Sequence, residues 1–149
     1  MLTLFHMTFS ESVSTCLKKY FVFKGRAPKS EFWWFQLIWV VSYVVMIISN
    51  NEAIAFICLG IIIFIAIPLI SVGVRRLHDT NKSGFYYLLS LIPFIGGLIL
   101  LFMMIGDGTK GKNQYGPDPL KKVVKKKKKK INLLSKLFTC VIRGINIFF

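Results

Sequence analysis

Two stretches of this 149-residue chain carry side chains that could do chemistry. The first is Arg75-Arg76-Leu77-His78-Asp79-Thr80-Asn81-Lys82-Ser83-Gly84. A histidine beside an aspartate suggests acid–base work or metal ligation, and two arginines suggest phosphate. Catalysis by such a pair needs a third group that orients or activates it, and the other histidine, His6, stands in an unpatterned N-terminus. Adjacent residues on a helix also point about 100° apart, so His78 and Asp79 would not share a face. The local alternative is that Arg75 and Arg76 bind lipid phosphates or pair with Glu31 and Asp79. Asp79 and Asn81 would then make a turn, and Ser83 would cap the next helix. The second stretch, Gly106-Asp107-Gly108-Thr109-Lys110-Gly111-Lys112-Asn113, approaches the phosphate-binding G-x-x-x-x-G-K-[ST]. Asn113 stands where the magnesium-binding hydroxyl belongs, no strand precedes the loop, and Gly116-Pro117 follows where a helix must begin. That match is rejected. Cys16, Cys58 and Cys140 show no metal-ligand spacing. No cofactor or metal is implied.

The elements that must position these groups are apolar. Ala53–Val74 runs 22 residues without a charge and Phe85–Ile105 runs 21. A helix of about 20 apolar residues crosses the hydrocarbon core of a bilayer. The polar decapeptide between the two runs therefore belongs at a membrane surface. Composition agrees: 54% of residues are hydrophobic, and the mean hydropathy is +0.60. A soluble chain this small could not hide so much apolar side chain. The net charge of +14 is not a nucleic-acid footprint, because eight of 20 basic residues lie between Lys121 and Lys130 and five more precede the first apolar run. Basic clusters at the ends of apolar runs report topology and anionic headgroups.

Taken in order, Ser10–Phe23 has the pattern of an amphipathic helix, with Ser10 as N-cap and Val13, Cys16, Leu17, Tyr20 and Phe21 on one stripe. It either packs on the rest of the chain or lies in the membrane interface. Gly25 and Pro28 break it. Ser30 is then expected to cap a span over residues 32–48, with Glu31 in its first turn and Trp33 and Trp34 at its mouth. Gln36 inside the span is expected to face another helix. Ser49–Glu52 connects to the second span, 53–74, which Arg75 and Arg76 end; Pro68 predicts a kink within it. Pro93 and Gly96-Gly97 divide the third run, 85–105, into two half-helices.

Every cluster of cations flanks the apolar runs except at Ser49–Glu52. The positive-inside rule then places the N-terminal flank, the Arg75–Ser83 loop and the tail in the cytoplasm. Three straight crossings cannot satisfy this, whereas two crossings and a re-entrant hairpin turning at Pro93–Gly97 can. The competing arrangement is a kinked third crossing. Residues 1–9 carry no pattern, 10–119 form the membrane domain, and 120–149 form a polybasic run with an amphipathic tail. In that tail Leu134, Leu137, Phe138, Val141, Ile142, Ile145 and Phe149 share a face. Six consecutive lysines are also what a frame slip in an adenine homopolymer produces, in which case the tail is not native.

Three motifs occur together: Phe23-x-Gly25-Arg26 with Ser30-Glu31-Phe32-Trp33, Arg75-Arg76-Leu77-His78-Asp79 with Ser83-Gly84-Phe85, and Ile92-Pro93-Phe94-Ile95-Gly96 leading to Gly108-Thr109-x-Gly111-x-Asn113-x-Tyr115-Gly116-Pro117-Asp118-Pro119. In this order and spacing the chain resembles, over Cys16–Pro119, the YhaH-like bacterial inner-membrane family, a domain of unknown function numbered 805. The resemblance implies a small multi-pass protein of the bacterial inner membrane with no established activity, cofactor or catalytic residue. Members of that family usually end soon after the last motif.

The expectation is an all-α integral membrane protein with cytoplasmic termini and no enzymatic activity. Its polar segments Gly25–Glu31, Arg75–Ser83 and Gly108–Pro119 would meet on one face. Arg26, Glu31, Arg75, Arg76, His78 and Asp79 are the candidate residues for contact with a partner membrane protein or with anionic lipid headgroups of the phospholipid bilayer; no nucleic acid is expected. The alternatives are a small transport or channel component, and a lipid-modifying enzyme using His78 and Asp79.

Overall fold

The structure, a computed structural model, describes residues 7–145; His6 and Phe149 lie outside them. All regular elements among these residues are helical: α1 (Phe9–Lys18), α2 (Lys29–Ile48), α3 (Glu52–Asp79), a 3-10 segment (Gly84–Leu91), α4 (Ile95–Ile105) and α5 (Pro119–Ile145). They form two compact units that divide between Pro119 and Leu120.

Thr8, not Ser10, opens α1. Its hydroxyl accepts the Glu11 amide while the Glu11 carboxylate accepts the Thr8 amide, a reciprocal capping box. The helix stops at Lys18 and does not reach Phe23. Beyond that stop the Ser71 hydroxyl on α3 donates to the carbonyls of Lys19 and Val22. The predicted stripe divides accordingly. Cys16 is buried against α2 with Ser12, while Leu17 and Phe21 stay exposed.

The first long helix, α2, begins at Lys29 behind Pro28, which fits because proline has no amide hydrogen to leave unbonded near a helix start. Ser30 is therefore inside the helix and not its cap; its buried hydroxyl accepts the Met7 amide. Asn51 caps α3 by accepting the amides of Ala53 and Ile54. Arg75 and Arg76 do not end α3, which continues to Asp79. Its 28 residues span ~42 Å. That exceeds the ~30 Å hydrocarbon core, so the last turns after Val74 extend beyond the apolar stretch.

Pro68 lies inside α3 and cannot donate to the carbonyl four residues back, Phe64. The Tyr20 hydroxyl donates to that carbonyl at 2.5 Å. An orphaned acceptor within an apolar helix is thereby satisfied from outside it.

Both long helices turn most of their apolar side chains outward: Ile48 of α2 is 71% exposed and Phe56 of α3 71%. Only 22% of the most apolar stretch of each is buried, unlike the core helix of a water-soluble domain, and this fits spans solvated by lipid.

The third apolar run is broken at Ile92–Phe94. Gly96 and Gly97 are inside α4, so the division is into a 3-10 segment and an α-helix of 11 residues. Phe94 supplies the turn with a positive φ of 61°, rare for a bulky residue. A Cβ on Gly96 would collide with the Leu89 carbonyl, so only glycine lets the two arms close. The segment leaves the C-terminal end of α3 through Ser83, whose hydroxyl accepts the Phe85 amide. It returns to that same end, where Arg76 donates to the carbonyls of Met104 and Gly106. Residues 84–105 thus double back on themselves.

The polybasic run and the tail form one continuous helix, α5. Lys125–Lys129 are exposed along it, as are Leu134 and Leu137. The side chains of Phe138, Val141, Ile142 and Ile145 are outside the described set.

Candidate functional site

The three polar segments come together at one end of the helices, and Asp79 is their hinge. Its carboxylate accepts from Arg26 Nε at 2.8 Å and from Arg76 Nη1. Arg26 reaches it from the Gly25–Pro28 turn, held in place because the Ala27 amide donates to the Arg75 carbonyl. The rest of the Arg26 guanidinium donates to the carbonyls of Thr109 at 2.5 Å, Gly111 at 2.6 Å and Gly116 at 3.4 Å. Arg76 joins Asp79 to the C-terminal carbonyls of α4, where a cation also meets the negative end of the helix dipole. Gly108 packs so closely on Asp79 that a Cβ there would strike the carboxylate.

The loop after α4 returns the favour to α3. Thr109 donates both its amide and its hydroxyl to the Asp79 carbonyl, at 2.8 and 3.1 Å. Asn113 Nδ2 donates to the His78 carbonyl at 2.9 Å. The last carbonyls of a helix lack intrahelical donors and must find others. Here each of two helix ends is capped by the segment attached to the other.

A second ion pair lies beside the first. Glu31, in the first turn of α2, accepts from Arg75 Nη1 at 2.5 Å, with Lys19 Nζ at 3.9 Å. The Glu31 carbonyl accepts from Ser12 Oγ at 2.7 Å and from Cys16 Sγ, which docks α1. Burial, and then the Glu31 charge, push the Cys16 thiol up to about 12. It is a packed thiol, not a nucleophile.

Arg75 and Arg76 thus take the pairing role open to them, and both are buried, at 1% and 0% exposure. Burial draws the Arg76 guanidinium down and the Asp79 carboxyl up, and their contact opposes both shifts. Arg75 spends one donor on Glu31, while its Nε and Nη2 are buried without a protein acceptor.

His78 and Asp79 face different neighbours. His78 Nδ1 lies 3.1 Å from the Gly25 carbonyl, so that nitrogen carries the proton, and the ring stacks on Tyr115 at 3.9 Å and 5°. Burial lowers its pKa. The two residues form no acid–base pair with each other. The Gly106–Asn113 loop turns carbonyls towards Arg26, the reverse of an amide cradle for phosphate. No group of three or more metal-binding side chains converges among the described residues.

Of the six candidate residues, Arg26, Asp79 and Arg76 form one cluster, Glu31 and Arg75 its neighbour, and His78 the edge. Sequence reasoning missed Tyr115, Thr109 and Asn113 as partners. Nothing local marks Tyr115 as a stacking surface. The need for donors at the ends of α3 and α4 was the available signal for the other two.

Long, outward-facing apolar helices joined at one end by a buried polar cluster define a small helical membrane protein. The family described as Protein of unknown function (DUF805) matches residues 20–117, and the chain belongs to it. Inner membrane protein YhaI of Escherichia coli (strain K12) is 40% identical over 106 residues, covering 69% of this chain and 90% of that one. Inner membrane protein YhaH of the same strain is 39% identical over 112 residues, covering 69% and 91%. Uncharacterized protein YiiR, also from that strain, is 28% identical over 129 residues, covering 66% and 86%. No solved structure matches. The family and the two apolar helices make this an inner-membrane protein.

Proposed function

We propose that the chain is a non-enzymatic interaction or membrane-organising module, whose cytoplasmic polar face docks a partner membrane protein or anionic headgroups. The observation that carries this reading is the interlocking of Arg26, Asp79 and Arg76 with the carbonyls of two helix ends. It consumes the candidate catalytic groups in structure and makes a rigid platform. Lys24, next to the first of these polar segments, and Lys110 and Lys112, within the third, stay exposed. A photo-reactive amino acid at each of these lysines, activated in native membranes, should give a discrete protein or lipid adduct. Adducts no stronger than those from exposed Ile47 would sink the proposal.

In this reading α2 and α3 cross the membrane, residues 84–105 re-enter from the cytoplasmic side, and α1 lies in the interface with Leu17 and Phe21 towards lipid. Three features support it. Both ends of the 84–105 segment meet Arg76 or its neighbours, the tip residue Phe94 is 91% exposed, and the cation-free connection Ser49–Asn51 is at the far ends of α2 and α3. Single cysteines at Lys24 and Lys112, in a chain with its native cysteines replaced, should both label from the cytoplasmic side. Labelling of Lys112→Cys from the periplasm alone would exclude the hairpin.

A further inference from the structure

A cavity of about 390 Å³ opens between α2, α3, the 3-10 segment and α4, with none of the six candidate residues in its lining. Ligand pockets typically measure about 300–1,000 Å³. Trp33, Gln36 and Trp39 line it from α2, Tyr87 from the 3-10 segment, and Gly97 and Leu100 from α4. Gln36 was expected to face another helix, and it faces this space. Neither its amide nor the Tyr87 hydroxyl hydrogen-bonds to any group among the described residues. Polar groups surrounded by hydrocarbon are costly unless something bonds to them, and water is scarce at that depth. No lining residue is charged. A carboxylate or phosphate inside would have no counter-ion, so the occupant must be neutral. Indole, phenol and amide together offer aromatic faces and hydrogen-bond donors.

We infer that this cavity binds a neutral, lipid-soluble molecule through a carbonyl group, whose oxygen accepts from the Gln36 amide and the Tyr87 hydroxyl, with its apolar remainder directed to lipid. Two sources share that chemistry, an alkyl-substituted benzoquinone and an acyl glyceride.

Trp33 and Trp39 provide the readout. The intact protein, in phosphatidylcholine nanodiscs, is titrated with decyl-benzoquinone in one arm and a brominated diacylglycerol in the other, and indole quenching is followed. One probe should quench saturably, beyond the linear quenching of an indole-bearing transmembrane peptide. The arm that saturates names the source. A Cβ on Gly97 meets nothing within 4 Å, so Gly97→Leu has room to fill the cavity and should weaken saturable quenching at least tenfold. Gln36→Leu should weaken it several-fold. Gly60→Leu adds the same side chain in open space on α3, away from the lining, and should bind as the parent does. Should Gly97→Leu fail to fold, Gln36→Leu against Gly60→Leu makes the comparison. Absence of saturation with both probes, as when bulk phospholipid chains fill the cavity, overturns the assignment. So does unchanged binding in Gly97→Leu or, where that variant does not fold, in Gln36→Leu.

Discussion

Arg26 and Arg76 each spread a guanidinium over several acceptors, while Arg75 uses a single donor towards Glu31. Lysine carries the same charge on a compact head and cannot span separated acceptors in a plane. Arg26→Lys and Arg76→Lys should therefore each cost about 2 kcal/mol or more, as two or three hydrogen bonds of ~1 kcal/mol are lost. Arg75→Lys should cost less than about 1 kcal/mol, since it gives up donors that have no acceptor. Thermal unfolding in detergent orders the three; equal losses would contradict the division of labour. Removing Asp79 is harsher, because it leaves two buried cations facing each other, and Asp79→Ala should cost about 3–5 kcal/mol.

His78 predicts a pH dependence. Burial lowers its pKa in the folded chain below the ordinary 6.5, so folding favours the neutral ring. The associated stability is complete above the unfolded value and is lost as pH falls through the folded one. An NMR titration of His78 should show a midpoint below 6.5. His78→Phe, which keeps a ring against Tyr115, should flatten the acid side of the stability profile. A midpoint above the ordinary value would reverse the sign.

Among the elements, α3 is the one whose regularity depends on another segment. Pro68 removes the donor for the Phe64 carbonyl, and Tyr20 replaces it. Tyr20→Phe should destabilise by about 1–3 kcal/mol, the cost of an acceptor left without a donor on an apolar helix that lipid surrounds. In a Pro68→Ala background the helix supplies its own donor, and Tyr20→Phe should then cost much less. A double-mutant cycle on thermal stability measures this; additive effects would break the proposed link. A proline in an apolar run was visible in the sequence. The identity of the distant hydroxyl that answers it was not, because 48 residues separate Tyr20 from Pro68 and no periodicity connects them.

At the scale of the whole molecule, residues up to Pro119 are a compact unit by themselves, and the family match ends at residue 117. A chain truncated after Leu120 should insert into membranes and unfold within a few degrees of the parent. Loss of insertion, or a far lower melting temperature, would show that α5 supports the rest. The cation distribution in the sequence had led to the expectation that the three polar segments converge on one face, and the structure joins them by direct contacts.

The sequence by itself determined the solvent of this protein and the approximate limits of its apolar runs, because transfer into lipid is a sum over side chains and can be read locally. Only the tertiary structure decided that Asp79 serves Arg26 and Arg76 while His78 stacks on Tyr115. It alone showed that the glycine-rich loop presents carbonyls, and that Gln36 faces a cavity. Those outcomes depend on which unsatisfied donors and acceptors are brought within about 3 Å, a property of the closed chain that residue spacing does not encode.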